Sequence, residues 1–332
     1  MDSVSQFALG AAVAATAMGD RTKAWRAVVW GGVIATLPDL DVLIDHGDAV
    51  QNMIRHRSES HALFWLTLAT PFFAFVIAAL HGERRHVGRW ALAVWLALVT
   101  HPLLDAMTIY GTRLWLPFDA TPVGLGSVFV IDPLYTLPLL VGTAAFLRSG
   151  RQRWNTAGLV LSALYLAWSA AAQTSALAAA RASLQHEGIA ATDVLATPAP
   201  FQTLLWRLVA HDEQRVYEAY WSVLDDSTPI EWTSTDRGAA LRDSLRGAPA
   251  VDDLAAFSHG FWKAWRDGDR VLMADVRMGM EPWYVFTFAV GEGAVAPRPL
   301  TPRDRVGVRI DAARALPWLW RRMQGERVPQ PR

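Results

Sequence analysis

Apolar residues run in long unbroken stretches through the first half of the chain and in short, interrupted ones through the second. Four stretches, 61–80, 90–107, 128–147 and 154–172, reach the ~17–25 residues a membrane-crossing helix needs. Two shorter ones precede them, an Ala/Gly-rich run over 4–18 and another over 25–37. Each is short for a crossing by itself, so tilted crossings, half-inserted helices and a packed pair all remain open. The run over 4–18 has Asp2 before it instead of a basic stretch, so it is expected to stay in the mature chain.

Beyond residue 172 the pattern changes. Residues 176–182 are helical in composition, Pro198 and Pro200 mark a linker, and apolar runs over 206–209, 215–224 and 270–290 are broken by Gly and Pro. The segment 283–290 reads as a strand, and 257–265 and 310–323 as helices. The expected fold is mainly α: a polytopic transmembrane helical bundle over 1–172, a helix and linker over 173–200, and a small α+β extramembrane domain over 201–332.

Charge supports the division. Residues 1–172 hold 12 Lys/Arg and 11 Asp/Glu, and residues 173–332 hold 19 and 20. The net charge of zero removes the case for nucleic-acid binding by bulk charge. With no Cys, disulfides, thiolate metal sites and Cys nucleophiles are excluded. Nine basic residues lie in the loops 20–26, 81–89 and 148–153, against three in 38–60 and 108–127. The positive-inside rule puts the first set in the cytoplasm. The other loops, and everything after 172, are then expected outside the inner membrane.

Ionisable residues at membrane depth are costly and usually mark function. Here they gather at the helix ends expected outside: Asp2 and Gln6, Asp39 and Asp41, His56, Arg57, Glu59 and His61, His101 and Asp105, and Asp132. His101 and Asp105 stand four apart, on one face of a helix. Imidazole plus carboxylate without thiolate suits zinc best, with manganese or iron(II) open. Asp41, His56, His61, His101 and Asp105 are the expected metal ligands, for one or two ions. Asp39, or else Asp41, is expected to take a proton from water or to hold the metal, Arg57 to neutralise charge on an anionic substrate, and Glu59 to be a general acid. Each has a plainer alternative: a polar turn, an interfacial anchor, a solvated carboxylate. Asp132 is expected to orient a ligand histidine, and Tyr110 and Thr112 to line the pocket mouth or form a tight turn. In the tail, Asp275, Arg277 and Glu281 read as surface salt bridges, Trp221, Trp262, Trp265 and Trp283 as core, and His211 and His259 as structural.

The motifs Met1-Asp2-Ser3-Val4-Ser5-Gln6 with Gly10, Leu37-Pro38-Asp39-Leu40-Asp41, His56-Arg57 with Ser60-His61, His101-Pro102-Leu103-Leu104-Asp105, Tyr110-Gly111-Thr112, Pro117-Phe118 and Ile131-Asp132-Pro133-Leu134 occur in that order. As a set they resemble the bacterial inner-membrane, metal-dependent hydrolases described as LexA-regulated, over about residues 1–147. The tail motifs Pro200-Phe201, Leu205-Trp206-Arg207 and Asp275-Val276-Arg277-Met278-Gly279 resemble the extension of a longer branch. That family is in turn similar to zinc-dependent phospholipases C and fungal zinc nucleases, which use a His-x-x-x-Asp pair and an Asp followed by a His some fifteen residues on. His101–Asp105 matches the first element and the step from Asp41 to His56 the second. The chain departs from them in lacking an N-terminal Trp ligand and any His between His101 and His186.

The resemblance implies a membrane-bound metal-dependent hydrolase whose partners are the lipid bilayer and a phosphoester or lipid-linked substrate. The alternative is a metal-binding membrane protein without hydrolytic activity, for transport or assembly. Polar residues clustered at one end of the helices, not spread through their depth, disfavour a conduction path. An intramembrane metalloprotease would need His-Glu-x-x-His, and the run from His56 to His61 has another spacing.

Overall fold

A computed structural model describes residues 1–225, 229–302, 304–307 and 312–330. The chain forms two compact units. One comprises Met1–Leu43, Arg57–Ala170 and Pro200–Gln202. The other comprises Ile44–His56, Ala171–Ala199 and Thr203–Arg332. The segment 44–56 thus leaves the first unit and the chain re-enters it at Arg57.

The helices are α1 (Ser3–Met18), α2 (Ala24–Thr36), α3 (Ala49–Arg55), α4 (Leu63–Leu80), α5 (Val87–Ala106), α6 (Pro133–Ser149) and α7 (Gln152–His186). All but α3 and the end of α7 build the first unit. Asp2 caps α1 by accepting from the amides of Val4 and Ser5. Asp132 caps α6 in the same way, with Pro133 in its first turn and Gly150, in the left-handed conformation, closing its other end. The stretch expected as a crossing over 128–147 therefore becomes helical only at Pro133. Leu63–Leu80, Arg84–Ala106 and Gln152–His186 are long and apolar enough to cross a membrane. The short expected segments, 4–18 and 25–37, become α1 and α2, packed against each other and α5.

Small residues set the distance between α1 and α2. A Cβ added at Gly10 would collide with Ala35 Cβ and the Gly31 carbonyl; one added at Gly31 would collide with the Gly10 carbonyl and Ala14 Cβ. Gly10 and Ala14, like Gly31 and Ala35, are four apart, so each pair shares a helix face. In lipid, where apolar burial gives little drive, such close backbone approach is what holds helices together. Gly31→Leu is expected to cost about 1–3 kcal/mol by overpacking, read as a lower thermal midpoint in detergent. Gly88→Ala, with open space at its Cβ, should leave it unchanged.

The second unit begins with the far half of α7. Ala172, Ala176 and Ala180 pack on Ala196, Trp206, Leu208 and Ala219 of an antiparallel sheet, β1 (Asp193–Pro198), β2 (Leu205–His211), β3 (Arg215–Ser222) and β4 (Thr233–Asp236). After α8 (Ala239–Ser244) and α9 (Pro249–Phe257) comes a second antiparallel sheet, β5 (Trp262–Asp267), β6 (Arg270–Met280), β7 (Trp283–Glu292) and β8 (Arg298–Pro299). The helix expected over 257–265 is not formed: α9 stops at Phe257, His259 and Gly260 take positive φ, and Trp262 pairs with Asp275 of β6. The strand expected over 283–290 is β7. The helix expected over 310–323 is α10 (Ala312–Met323); Ile310 lies outside the described residues. Segment 44–56 packs here, with Gln51 Nε2 donating to Asp253 Oδ2 at 2.6 Å and the Ala49 amide to the Pro302 carbonyl.

Asp275 and Arg277 form the expected ion pair, but it is buried, with side chains 0% and 4% exposed and 2.7 Å apart. Trp262 and His211 are buried, as core residues should be.

Candidate metal centre

His101 and Asp105 occupy the last turns of α5, and both are fully buried. Asp39 lies on the 3₁₀ turn Pro38–Leu43 that ends α2's run, and His61 ends the 3₁₀ turn Glu59–His61 that leads into α4. One ligand atom from each of Asp39, His61, His101 and Asp105 lies within 4.8 Å of all the others. Helix ends bring these residues together because only there does the chain supply polar side chains without burying them in lipid.

The two imidazoles are fixed in one tautomer. His101 Nδ1 is 2.5 Å from the Ala35 carbonyl, which can only accept, so Nδ1 carries the proton. Ser60 Oγ donates to Asp41 Oδ2 at 2.7 Å and so accepts from His61 Nδ1 at 2.8 Å. In the neutral imidazoles both Nε2 atoms then present lone pairs to the centre, 3.1 Å apart. Facing them are Asp39 Oδ1, 3.4 Å from each, and Asp105 Oδ2, 3.3 Å from His61 and 3.2 Å from His101. Asp105 Oδ2 is buried and has no hydrogen-bond donor. Four acceptors directed at one point are compatible with a cation between them. Five of the six edges are 3.1–3.4 Å, those of a tetrahedron whose centre lies about 2.0 Å from each corner, the bond length of zinc to histidine and carboxylate; the sixth, between Asp39 and Asp105, is within 4.8 Å. The cluster is a candidate metal-binding site, the single such group among the described residues.

A second layer fixes this one. Asp105 Oδ1 receives Gln6 Nε2 at 3.1 Å, Arg57 Nη2 at 3.2 Å and the Met1 amino group. Gln6 also donates to the His101 carbonyl. Arg57 is buried, its guanidinium stands over the Tyr110 ring at 5.0 Å, and Nη1 donates to Thr108 Oγ1. Its backbone has φ 62°, a left-handed conformation that a side chain disfavours. Asp41 Oδ2 holds its amide and the Arg113 amide holds its carbonyl. Such strain persists only where surroundings impose it.

Several expected roles change. Asp39, for which proton transfer and metal binding were both open, stands in the candidate cluster, and Asp41, expected as a ligand, stands behind His61. His56 is the C-cap of α3, in the segment that packs with the second unit, and does not join the cluster. The fifteen-residue step from Asp41 thus ends on a histidine outside the cluster: His56 closes α3, and the chain rejoins the first unit at Arg57. Glu59 is exposed and outside the cluster. Asp132, expected to orient a histidine, instead caps α6 and accepts from Tyr165 at 2.8 Å. Asp2 caps α1. Thr112 pairs through its backbone with Val123, its buried hydroxyl unpartnered. Ser60 and the Ala35 carbonyl were not anticipated; Ser60 adjoins His61, but nothing in the sequence marks a backbone carbonyl.

A helical unit of small and apolar residues, with a buried imidazole–carboxylate cluster at its helix ends, defines a membrane protein with a candidate metal centre. The chain belongs to the YdjM inner membrane protein family, which matches residues 1–176, and its location is the inner membrane. No curated protein and no solved structure matches it.

Purified without chelator, the wild-type chain is expected to carry one divalent ion by elemental analysis. His61→Ala and His101→Ala should each lose it and His56→Ala keep it; equal loss in all three would refute this ligand set. Ser60→Ala, which removes a link behind His61, should weaken the metal about 10–100-fold in a competition titration.

Proposed function

We propose that this chain is a membrane-bound, metal-dependent hydrolase of phosphoester or lipid-linked substrates at the outer face of the inner membrane. The observation that carries the reading is the meeting of the four-acceptor cluster with a buried guanidinium, Arg57, through the shared carboxylate of Asp105. Asp39, His61, His101 and Asp105 would hold the ion, with zinc the best match to their spacing. A divalent ion in such a site supplies Lewis acidity toward a phosphoryl or carbonyl oxygen and lowers the pKa of water to about 7.

The protein's own groups supply the rest. Arg57 has a buried Nε without a partner, a donor directed by the Tyr110 and Thr108 contacts and suited to an anionic oxygen. Asp41 and Ser60 hold His61 in the tautomer that leaves Nε2 free. The side chain of Asp39 is 21% exposed, while those of His61, His101 and Asp105 are fully buried, so access runs past Asp39. Exposed Phe64, Trp65, Trp115 and Phe118 lie on segments joined to the site by the Leu63–Leu114 and Arg113–Arg57 backbone hydrogen bonds. Aromatic side chains favour the headgroup level of a bilayer, which supports a lipid headgroup as substrate. The charge bias of the loops supports the outward orientation and the multi-pass topology.

A second reading is favoured by one observation. Four protein donors around one ion are the pattern of structural zinc, whereas catalytic zinc keeps a position open. A non-catalytic metal-binding membrane protein would show this closure. Turnover decides between them. Phosphodiesters and phospholipids offered to the chain in nanodiscs should be hydrolysed, with activity lost to chelator and restored by metal. Arg57→Gln should keep its metal and lose about 10²–10³ in kcat. Full metal occupancy without turnover of any of these substrates would favour the non-catalytic reading.

A further inference from the structure

The turn that carries Asp39 has two sides of opposite character. Over Pro38–Leu43 the acids face the centre: Asp39 Oδ1 is 3.4 Å from the Nε2 atoms of His61 and His101, and Asp41 Oδ2 accepts from the Arg57 amide and Ser60 Oγ. The apolar side chains face away. Leu40 is 56% exposed, Val42 70% and Leu43 79%. On a 3₁₀ turn residues three apart stand one above the other, so Leu40 and Leu43 share a face and Val42 follows Asp39, the candidate ligand past which access runs. Single apolar residues on a surface are ordinary, but three on one short turn beside a candidate site mark an interaction surface.

Depth along the helices names the occupant. Asp39 meets one histidine inside α5 and another at the start of α4. His101 lies five residues before the end of α5, about 7.5 Å at 1.5 Å per residue, and α4 starts two residues after His61. Both helices are long and apolar enough to cross a membrane. At this level they still expose large apolar side chains, Leu103 on α5 and Phe64 and Trp65 on α4, so the lipid-facing surface reaches the height of the cluster. The exposed side of the turn Pro38–Leu43 lies at that same height. It carries no charge, which suits acyl chains and not phosphates, and the sequence turns polar directly after Ile44, with Asp45-His46-Gly47-Asp48. We propose that Leu40, Val42 and Leu43 rest among acyl chains at the bilayer boundary, and that the centre takes its substrate laterally, as a membrane lipid whose chains stay beside this lip while its headgroup meets Asp39. The seating of the turn stands on geometry alone; the lipid as substrate rests on the hydrolase reading above.

The chain has no Cys, so single labels can be placed. Leu43→Cys and, as a reference in the middle of α4, the exposed Phe72→Cys carry a fluorophore in nanodiscs of the full chain. Nitroxide-labelled lipid should quench position 43 at least about half as strongly as position 72. Weaker quenching would overturn the proposal, whether aqueous iodide reaches the label, as exposure to water would allow, or does not, as a covering protein would require. For entry, the metal-loaded protein is offered phosphatidylglycerol and phosphatidylethanolamine in nanodiscs, and the chain-free glycerophosphodiesters of the same headgroups in solution. The wild type should turn over the lipids about tenfold faster or more, and Leu43→Asp should lose that advantage with metal content and thermal midpoint unchanged. Equal rates on both forms, or an advantage that survives Leu43→Asp, would overturn lateral entry and leave the hydrolase reading intact. Turnover of neither form would remove the hydrolase reading and lateral entry with it, while the quenching decides the seating of the turn by itself.

Discussion

Four acceptor atoms, with five of their six separations at 3.1–3.4 Å, are the constraint around which the first unit is organised. Like partial charges at that spacing repel unless something positive lies between them. Each supporting contact holds an acceptor in place against that repulsion: a backbone carbonyl behind His101, a serine–aspartate pair behind His61, and Gln6 and Arg57 on the far oxygen of Asp105. The carbonyl behind His101 belongs to Ala35, whose methyl group is also what Gly10 makes room for. The close approach of α1 and α2 and the orientation of the imidazole are therefore one packing problem.

How much of this was legible depended on the kind of signal. Long apolar runs gave α4, α5 and α7, because a helix in lipid must be apolar along most of its length. The His101–Asp105 pair was legible for a local reason, since four residues on a helix return to the same face. Asp41 and Asp39 were both visible as candidates, but their roles turned on which carboxylate faces inward from a 3₁₀ turn, and no periodicity encodes that. His56 and His61 were separated only by tertiary structure: α3 carries the first away and the re-entry of the chain keeps the second. The misread helix over 257–265 failed on backbone conformation. Apolar spacing there suits either a helix or a strand, and the positive φ of His259 and Gly260 decided it.

The two units solve the burial of charge differently. In the second, Arg207 and Glu218 are paired at 2.6 Å within the sheet, and Asp275 and Arg277 at 2.7 Å, so each of these four buried charges has its opposite. In the first, two carboxylates and two imidazoles converge with Arg57 and the Met1 amino group at their edge. A structural pair needs only mutual neutralisation. A cluster kept rich in acceptors suits the capture of something from outside the chain, which is why the first unit, and not the second, carries the functional reading.

Segment 44–56 gives the molecule a schedule. It lies between Asp41 and Arg57 in the chain, yet the helix that α3 packs on, α9, is some two hundred residues downstream. A ribosome releases the first arm of the cluster early, while the partner that secures the intervening loop is still to be translated. A chain ending before α9 would keep all four acceptors but lack the helix on which α3 packs.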